Sequence, residues 1–510
     1  MPYIVGVDIG TQGIKAVALD ENLRPAARVY AETSVSSPRP GWVEHDAEAV
    51  WWRGFCHAVE KLLAELPNRD ILGVGCSGIA PCMLPVGADG KPLRPAILYG
   101  IDTRCRDEVL EMTEILGEET VLKLNKRPLT TQSVGPKILW FRKHEPELFR
   151  QTTRVFSATN YVINRLTNAF VIDRPQACEM APFYSYDIGN WDDRVLDTFD
   201  IPRSMLPEIR RSYEAAGVIT SAAAKECGLP EGIPVTTATV DAFAEFISTG
   251  AYSQGEAAVI YGTTGVIALT TDKLPVMKDI WIFPHPLFDD HYLAIGAMAA
   301  TAALTKWFRD NFGDLEKLME QRVNRSAYEF LSDQAAAVPA GSEGLLALPY
   351  FNGERTPIAD PLASGVIMGL TTYHTRAHVY RALLESAAYG FRHHLDLFEN
   401  YGFSVQQVTA CGGGAKSSLW VQIVSDVTGF DQIRPCVSLG SDVGTAYLVA
   451  RTVGWIDSFS SLKERLSGDA LATITADPAA RATYDGYYKV YRSLYGSIKD
   501  EMHALAALQR

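Results

Sequence analysis

Two stretches of this 510-residue chain follow one pattern, and any fold must accommodate both. Near the start, Tyr3-Ile4-Val5-Gly6-Val7-Asp8-Ile9 runs into Gly10-Thr11-Gln12-Gly13-Ile14-Lys15. Near the middle, Ala257-Ala258-Val259-Ile260-Tyr261 runs into Gly262-Thr263-Thr264-Gly265-Val266. Each is a short apolar run, a Gly-Thr-x-Gly turn and a second apolar run, the pattern of a buried strand hairpin. One copy opens each half of the chain, which points to an internal duplication and so to two related domains. The glycines let the backbone turn sharply and approach a ligand closely. The turn N–H groups, the Thr11 hydroxyl and the Lys15 charge suit a polyphosphate. Asp8 ends the first strand and can hold a hydrated Mg²⁺. Taken singly, the first stretch is also accounted for by an ordinary glycine hairpin with a stray aspartate. The second copy has Tyr261 before its turn, which leaves Asp8 as the single acid on the metal side.

A chain of this length exceeds one core and implies two large domains or more. Its formal charge of −13 argues against nucleic acid or an anionic membrane as a general partner. An anionic ligand such as ATP then needs a local nest of N–H groups and a metal. No basic-then-apolar leader and no charge-free apolar run of about 18 residues is present, so neither a signal peptide nor a membrane span is expected. The cysteines (56, 76, 82, 105, 178, 227, 411 and 436) are scattered without a C-x-x-C pair, so neither a zinc site nor a disulfide framework is expected. A reducing cytoplasm fits this usage.

In chain order, residues 24–35 read as a third strand, and Asp46 can cap a helix reaching about residue 66. Residues 71–78 form another buried strand, followed by Ala80-Pro81-Cys82 and a turn at residues 87–90. Asp102 and Arg104, just beyond a strand end, either bond the hydroxyls of a polar ligand or serve as a helix cap and a solvated arginine on a helix over residues 104–116. Residues 183–194 read as a loop in which Trp191 packs. A strand over residues 235–240 ends on Asp241, with a helix over residues 242–248. Asp241 is either a plain cap or a carboxylate facing a cleft. Lys306 and Trp307 sit in a helix, and Glu385 lies in an amphipathic helix over residues 377–397. A strand from Val408 enters Gly412-Gly413-Gly414-Ala415-Lys416-Ser417-Ser418 and a further helix. Three glycines let a base or ribose lie on backbone at a helix N-terminus, although the spacing is not that of a P-loop. The tail from residue 458 reads as helical, with Tyr484, Tyr487, Tyr488 and Tyr491 as a packing stripe.

These stretches together resemble the FGGY family of carbohydrate kinases, within the actin and Hsp70 ATPase superfamily. The resemblance runs from Val5 to about Trp455. It includes Lys137-Ile138-Leu139-Trp140-Phe141, Asn352-Gly353-Glu354-Arg355-Thr356-Pro357 and Gly365-Val366-Ile367-Met368-Gly369-Leu370, continuing through His378 to Glu385. Gly412 to Ser418 matches the family's adenosine loop, and Ser441 to Ala446 the helix start that follows.

The resemblance implies an α/β fold of two ribonuclease H-like, actin-like ATPase domains with a deep interdomain cleft. Residues 1–246 would carry the sugar site and one phosphate hairpin, and residues 247–510 the adenosine site. By position, Asp241 would be the general base and Asp8 would act through water on Mg²⁺. Gly10, Thr11, Gln12, Lys15, Gly262, Thr263 and Thr264 would cradle the ATP phosphates. Gly413, Gly414, Ala415 and Ser418 would hold the nucleoside, with Ala302 and Lys306 alongside. Ala80, Pro81, Asp102, Arg104, Asp241 and Ala242 would face the substrate. The chain looks most like the xylulokinase group, which implies a ketopentose such as xylulose or a related sugar. It departs from that group at Ala80-Pro81-Cys82, where many members carry Met-His-Gly, and at Ala242, where an Asn is common. Losing a His and an Asn removes hydrogen bonds to sugar hydroxyls, so a polyol or a sugar acid (erythritol, ribitol, ribulose or gluconate) stands as the alternative. The expected partners are that small molecule and a second copy of the chain as a homodimer. A rival reading is an ATPase switch of the actin or Hsp70 type, which Asp241 after a strand and the loop at residues 352–357 disfavour.

Overall fold

The computed structural model describes residues 1–435, 440–467 and 471–508. Cys436 lies outside them, and the other seven cysteines are free thiols. One sheet is built from β1 (Tyr3–Ile9), β2 (Gly13–Leu19), β3 (Pro25–Glu32), β4 (Ile71–Gly78), β5 (Ala215–Val218) and β6 (Pro234–Thr236), in the order β5-β6-β4-β1-β2-β3. The other comprises β7 (Glu256–Tyr261), β8 (Gly265–Thr271), β9 (Trp281–Pro284), β10 (Tyr292–Met298), β11 (Gln407–Cys411), β12 (Gln432–Pro435) and β13 (Leu471–Ile474), in the order β9-β10-β8-β7-β11-β12-β13. In the first sheet β1, β2 and β3 form an antiparallel meander, with β4 parallel to β1 and β6 parallel to β4. In the second, β7, β8 and β10 form the meander, with β11 parallel to β7 and β12 parallel to β11. The repeated Gly-Thr-x-Gly pattern is thus a repeated topology, two ribonuclease H-like cores side by side.

The helices that position the site are α1 (Arg53–Glu65), α2 (Ala158–Thr167), α3 (Asp241–Ser248), α4 (Ala302–Phe312), α5 (Arg376–Asn400), α6 (Ser418–Thr428), α7 (Ser441–Thr452) and α8 (Pro478–Leu508). All of β1 is buried because helices cover both faces of its sheet, so it reads as a continuous apolar run rather than an alternating one. Val5, Val7 and Ile9 share a core with Phe55, Val59 and Leu62 of α1. The turn before α1 is capped as its sequence suggests, the Asp46 carboxylate accepting from the Ala49 N–H at 2.9 Å.

The opposite face of the first sheet is covered by α7, which comes from the far end of the chain. Glycines make this possible. A Cβ on Gly6 would lie 2.1 Å from the carbonyl oxygen of Asp442, and one on Gly75 would press on Val449 at 2.9 Å and Thr445 at 3.0 Å. Helix α3 crosses α7 just as closely, since a Cβ on Gly444 would lie 1.7 Å from the carbonyl of Ala244. One core accordingly joins Ile4 and Val17 to Phe243, Phe246, Val443 and Tyr447.

Several elements differ from expectation for local reasons. The strand expected to reach residue 240 ends at Thr236, because the Thr237 and Ala238 N–H groups turn to the carbonyls of Glu214 and Ser212, each at 2.8 Å. Ala238 takes φ +56°, and the chain rejoins β4 only at Val240. The segment at residues 183–194 contains a small hairpin, Tyr184–Ser185 against Asn190–Trp191, with the Trp191 indole donating to the Pro207 carbonyl at 2.9 Å. The tail is helical only in part, because β13 adds an edge to the second sheet. On α8, Tyr484, Tyr488 and Tyr491 are buried against Tyr389 of α5. Among the described residues no helix is long and apolar enough to cross a membrane.

Gly444→Ala is expected to destabilise the fold by about 3 kcal/mol or more, at or above the top of the overpacking range. Gly486→Ala, in α8 with open space around it, is expected to stabilise by about 0.5–1 kcal/mol. Thermal melting of both variants beside the parent checks the pair, and an unchanged midpoint for Gly444→Ala contradicts the close crossing.

Candidate active site

The face of β1 that meets α7 ends on Asp8. Its side chain is buried, accepting from the Ser77 hydroxyl at 3.0 Å on one oxygen and from the Ser441 hydroxyl on the other. Lys15 pairs with it across the hairpin, Nζ to carboxylate at 3.7 Å. Asp442, next along α7, is held by the Arg28 fork through two 2.7 Å bonds. Asp241 and Glu245, four residues apart, share a face of α3.

Burial pushes the Asp8 carboxyl up, against the pull of Lys15. Burial, then the charge on Asp8, pushes Asp241 up to about 8. Burial also raises Glu245. Burial works against the charge on Lys15, yet Asp8, Glu245, Asp442 and Asp241 together hold its ammonium above the usual range. Lys15 is therefore the positive centre of a ring of carboxylates.

The two Gly-Thr turns end open. At the first, the Gly10 N–H donates to Gly13 and the Thr11 hydroxyl meets the Tyr99 hydroxyl at 3.0 Å. The N–H groups of Thr11, Gln12, Thr263 and Thr264 donate to no group among the described residues. The second turn is flanked by the start of α4, where Thr301 and Ala302 donate to the Thr263 and Gly262 carbonyls at 3.0 and 2.9 Å. On its other side stands the glycine turn after β11, where a Cβ on Gly412 or Gly414 would touch Tyr261 at 3.0 Å. A Cβ on Gly413 would meet nothing within 4 Å. Gly262, Thr263 and Thr264 thus lie between the start of α4 at Ala302 and the turn of Gly413, Gly414 and the buried Ala415, with Lys306 and Ser418 exposed one turn into α4 and at the start of α6.

Between the sheets lies a cavity of about 260 Å³. This is below the roughly 300–1,000 Å³ of drug-sized pockets, so its occupant is small. Ala80, Pro81, Asp241, Ala242 and Thr264 line it, with apolar surface from Phe243, Phe246, Phe283 and Trp281. Its other polar groups are Tyr99, Arg127, Gln132, Glu179 and Arg355. One Asp241 oxygen accepts from the Ala242 N–H at 2.8 Å, and the other has no partner among the described residues.

Models of the FGGY family of carbohydrate kinases match residues 3–247, as its N-terminal domain, and residues 257–453, as its C-terminal domain. The chain belongs to the FGGY family of carbohydrate kinases. It is 28% identical over 520 residues to the xylulose kinase of Bacillus subtilis (strain 168), covering 100% of both chains. It is 26% identical over 509 residues to the gluconokinase of the same organism, covering 100% of this chain and 98% of that one. The crystal structure of xylulose kinase from Rhodospirillum rubrum superposes with a TM-score of 0.86 at 30% identity, covering 98% of this chain and 100% of that one. The protein is therefore a sugar kinase with the family's two-domain, actin-like architecture, and membership implies ATP as phosphoryl donor.

Two expected substrate residues of this FGGY kinase stand elsewhere. Neither Asp102 nor Arg104 lines the cavity. Both side chains are fully buried, and Arg104 is not solvated. Asp102 accepts from the Val43 N–H at 2.7 Å and from Arg104, whose guanidinium also pairs with Glu44 at 2.8 Å and stacks on Trp42 at 3.9 Å. Asp102 does not cap the next helix either, which starts at Arg106 with Cys105 at its cap position. Their hydrogen-bonding capacity is taken up inside the fold. Conversely, sequence reasoning missed Glu245, Tyr99, Arg127, Gln132 and Glu179. Helical spacing from Asp241 is the one signal that could have found Glu245; the rest come together only through long-range packing.

Arg104→Ala is expected to destabilise by about 3–5 kcal/mol, the cost of leaving a buried carboxylate unpaired. Chemical denaturation checks it. A near-parental midpoint accompanied by lost sugar binding would return Arg104 to the substrate site.

Proposed function

We propose that this kinase transfers the γ-phosphoryl group of ATP to one hydroxyl of a small carbohydrate in the 260 Å³ cavity, with Asp241 as general base. The cavity size and family support a ketopentose such as xylulose or a related sugar. The aliphatic wall at Ala80, Pro81 and Ala242 opens the class to polyols and sugar acids. The observation that carries the reading is Asp241 itself: it lines the cavity, faces the Asp8–Lys15 pair and keeps one oxygen without a protein partner. The acceptor hydroxyl loses its proton to that oxygen as its own oxygen bonds to phosphorus, and ADP departs.

The free N–H groups of Thr11, Gln12, Thr263 and Thr264 suit phosphate oxygens, and Gly10, Gly262 and Lys15 belong to the same cradle. The open side of Gly413, with Gly414, Ala415 and Ser418, suits a nucleoside lying on backbone, beside Ala302 and Lys306. Residues 1–246 thus present the carbohydrate wall and one phosphate turn, and residues 247–510 the nucleoside turn.

No three His, Cys, Asp or Glu side chains among the described residues group to hold a metal. Both Asp8 oxygens already accept from serine hydroxyls, so its donor set fits a Mg²⁺ held through water rather than chelated directly. When bound, Mg²⁺ would supply neutralisation of the phosphate charge. Asp8 would hold it through water, with Ser77 and Ser441 fixing its carboxylate. Domain closure would exclude bulk water and limit ATP hydrolysis.

Asp241→Asn is expected to lower kcat about 10²–10⁴-fold while leaving ADP affinity near the parental value by calorimetry. Turnover close to parental removes Asp241 from the role. The base form exists above its pKa, so kcat/KM for the carbohydrate should rise with pH to a midpoint of about 8 and then level off. A profile flat from pH 6 to pH 9 contradicts the assignment. Gly413→Leu fills open space rather than a packed one. It should fold normally yet weaken ADP binding by about tenfold or more, as a built-in clash does; unchanged affinity would move the nucleoside elsewhere.

A further inference from the structure

The cavity wall away from Ala80, Pro81 and Ala242 carries two buried groups that the phosphoryl-transfer chemistry leaves unused. Arg127 is only 8% exposed. Among the described residues its guanidinium meets no carboxylate at ion-pair distance, and its close neighbours are the Phe283 ring, 4.2 Å from the guanidinium carbon, and the Cys178 thiol. Glu179 is 9% exposed, and its Oε2 has no hydrogen-bond partner. Both line the cavity with Gln132, whose amide oxygen is occupied by the Gly100 N–H at 2.9 Å while its NH₂ is free to donate. A second arginine, Arg355, borders the same space.

A buried cation without a paired anion is unfavourable unless a ligand supplies the charge. Burial pushes the Glu179 carboxyl up to about 8, with Arg127 pulling it down and Asp241 and Asp173 pushing it up. Near neutrality Glu179 therefore carries a proton, leaves the charge on Arg127 uncompensated and is a donor. A guanidinium fork, a carboxylic O–H and an amide NH₂ line the same cavity and give it an excess of donors. Neutral hydroxyls would each waste an acceptor-poor neighbourhood, whereas a carboxylate offers two oxygens matched to the fork.

We propose that the Arg127–Glu179 wall is a carboxylate subsite, so that the substrate is a small sugar acid, an aldonate or uronate, anchored by its carboxylate at Arg127 with an acceptor hydroxyl towards Asp241. The assignment of the reacting end rests on the reading of Asp241 given above. The subsite itself rests only on the wall. It also accounts for the aliphatic residues at Ala80, Pro81 and Ala242, since charge pairing at the far end supplies recognition that hydroxyl contacts on the near wall do not.

The test uses the full-length Asp241→Asn protein, which separates binding from turnover, and calorimetry with matched pairs: erythronate against erythritol, xylonate against xylitol, and xylulose as the neutral ketose. At pH 7 at least one acid should bind about tenfold or more tighter than its alditol and than xylulose. Arg127→Met in the same background should cut that acid's affinity by about 100-fold, and Arg127→Lys, which keeps the charge without the fork, should lose less. In the protein with Asp241 intact, the acid's affinity should fall above about pH 8 as Glu179 ionises among Arg127, Asp241, Asp173 and Lys137, and Glu179→Gln should flatten that dependence. Equal or tighter binding of the neutral ligands, or an acid preference that survives Arg127→Met in a folded variant, overturns the subsite; the parent comparison alone decides if that variant fails to fold. Acid binding by a wild type that phosphorylates neutral sugars but no acid would overturn the acid as substrate, whereas a wild type that binds acid and phosphorylates neither class would count against Asp241 as base and leave the subsite standing. Phosphorylation of neutral sugars without acid binding sinks the subsite and leaves the kinase reading intact.

Discussion

A helix lying on bare backbone is the constraint on which the site depends. Helix α7 reaches the first sheet only because Gly6, Gly73 and Gly75 present no side chains to it, and α3 reaches α7 only because Gly444 does the same. Side chains alternate along β1, so the positions that face α7 are Ile4, Gly6 and Asp8. The same geometry that lowers α7 onto Gly6 therefore carries Ser441 to the Asp8 carboxylate. Asp241 begins α3, so its place opposite Asp8 follows from the α3–α7 crossing rather than from any contact of its own. Segments far apart in sequence are locked into one geometry by these four close approaches at glycine. A single added methyl group at the wrong glycine would shift the carboxylates relative to one another without touching them.

The electrostatics follow from that packing. Asp8, Asp241, Glu245 and Asp442 are brought together where solvent is scarce, and each disfavours the charge on the next. Lys15 and Arg28 relieve part of the repulsion. Burial first, and then the part of the repulsion that remains, raise Asp241 to about 8, well above the ordinary carboxylate range. The arrangement also resolves an apparent conflict with a chain of net charge −13. On the proposed reading a polyanion would be received not by the molecular field but by the amides at residues 11, 12, 263 and 264, which have no partner among the described residues and whose dipoles act at contact distance.

What could be read in the sequence was what is local. Both phosphate turns, the capped helix at Asp46, the strand ending in Gly78 and the glycine turn after Cys411 are encoded in runs of a few residues whose spacing reflects the backbone. Asp241 was legible as a carboxylate between strand and helix, although the strand is two pieces, because Ala238 and its neighbours turn to bond with residues 212 and 214. Asp102 and Arg104 misled for the opposite reason. Their local pattern, polar residues after a strand, is that of a ligand site, whereas Glu44, Trp42 and Trp140 close over them from elsewhere in the chain. Arg127 and Glu179 gave no signal, since an arginine in a loop and a glutamate ending a short helix acquire meaning only when the fold buries them beside the same cavity. The packing of α7 on the first sheet was equally hidden. The glycines that permit it read as strand interruptions, and nothing near them names the helix they receive.

The division between legible and hidden residues coincides with a division of labour. On the proposed reading the turns, Asp8 and Asp241 would serve chemistry that every phosphoryl acceptor shares, and they sit where strands end and helices begin, fixed by the two cores. The groups proposed to distinguish one acceptor from another sit on the loop at residues 127–132 and at the end of the short helix Arg174–Glu179, which the cores do not define. Changing a residue there leaves the carboxylate cluster untouched, whereas a site with buried donors rejects a ligand lacking the matching acceptors by orders of magnitude. Recognition can therefore be rebuilt on one wall while Ala80, Pro81 and Ala242 lose their polar groups on the other. The proposed proton acceptance at Asp241 would survive such an exchange in large part, because burial and then Asp8 are the leading causes of its raised pKa.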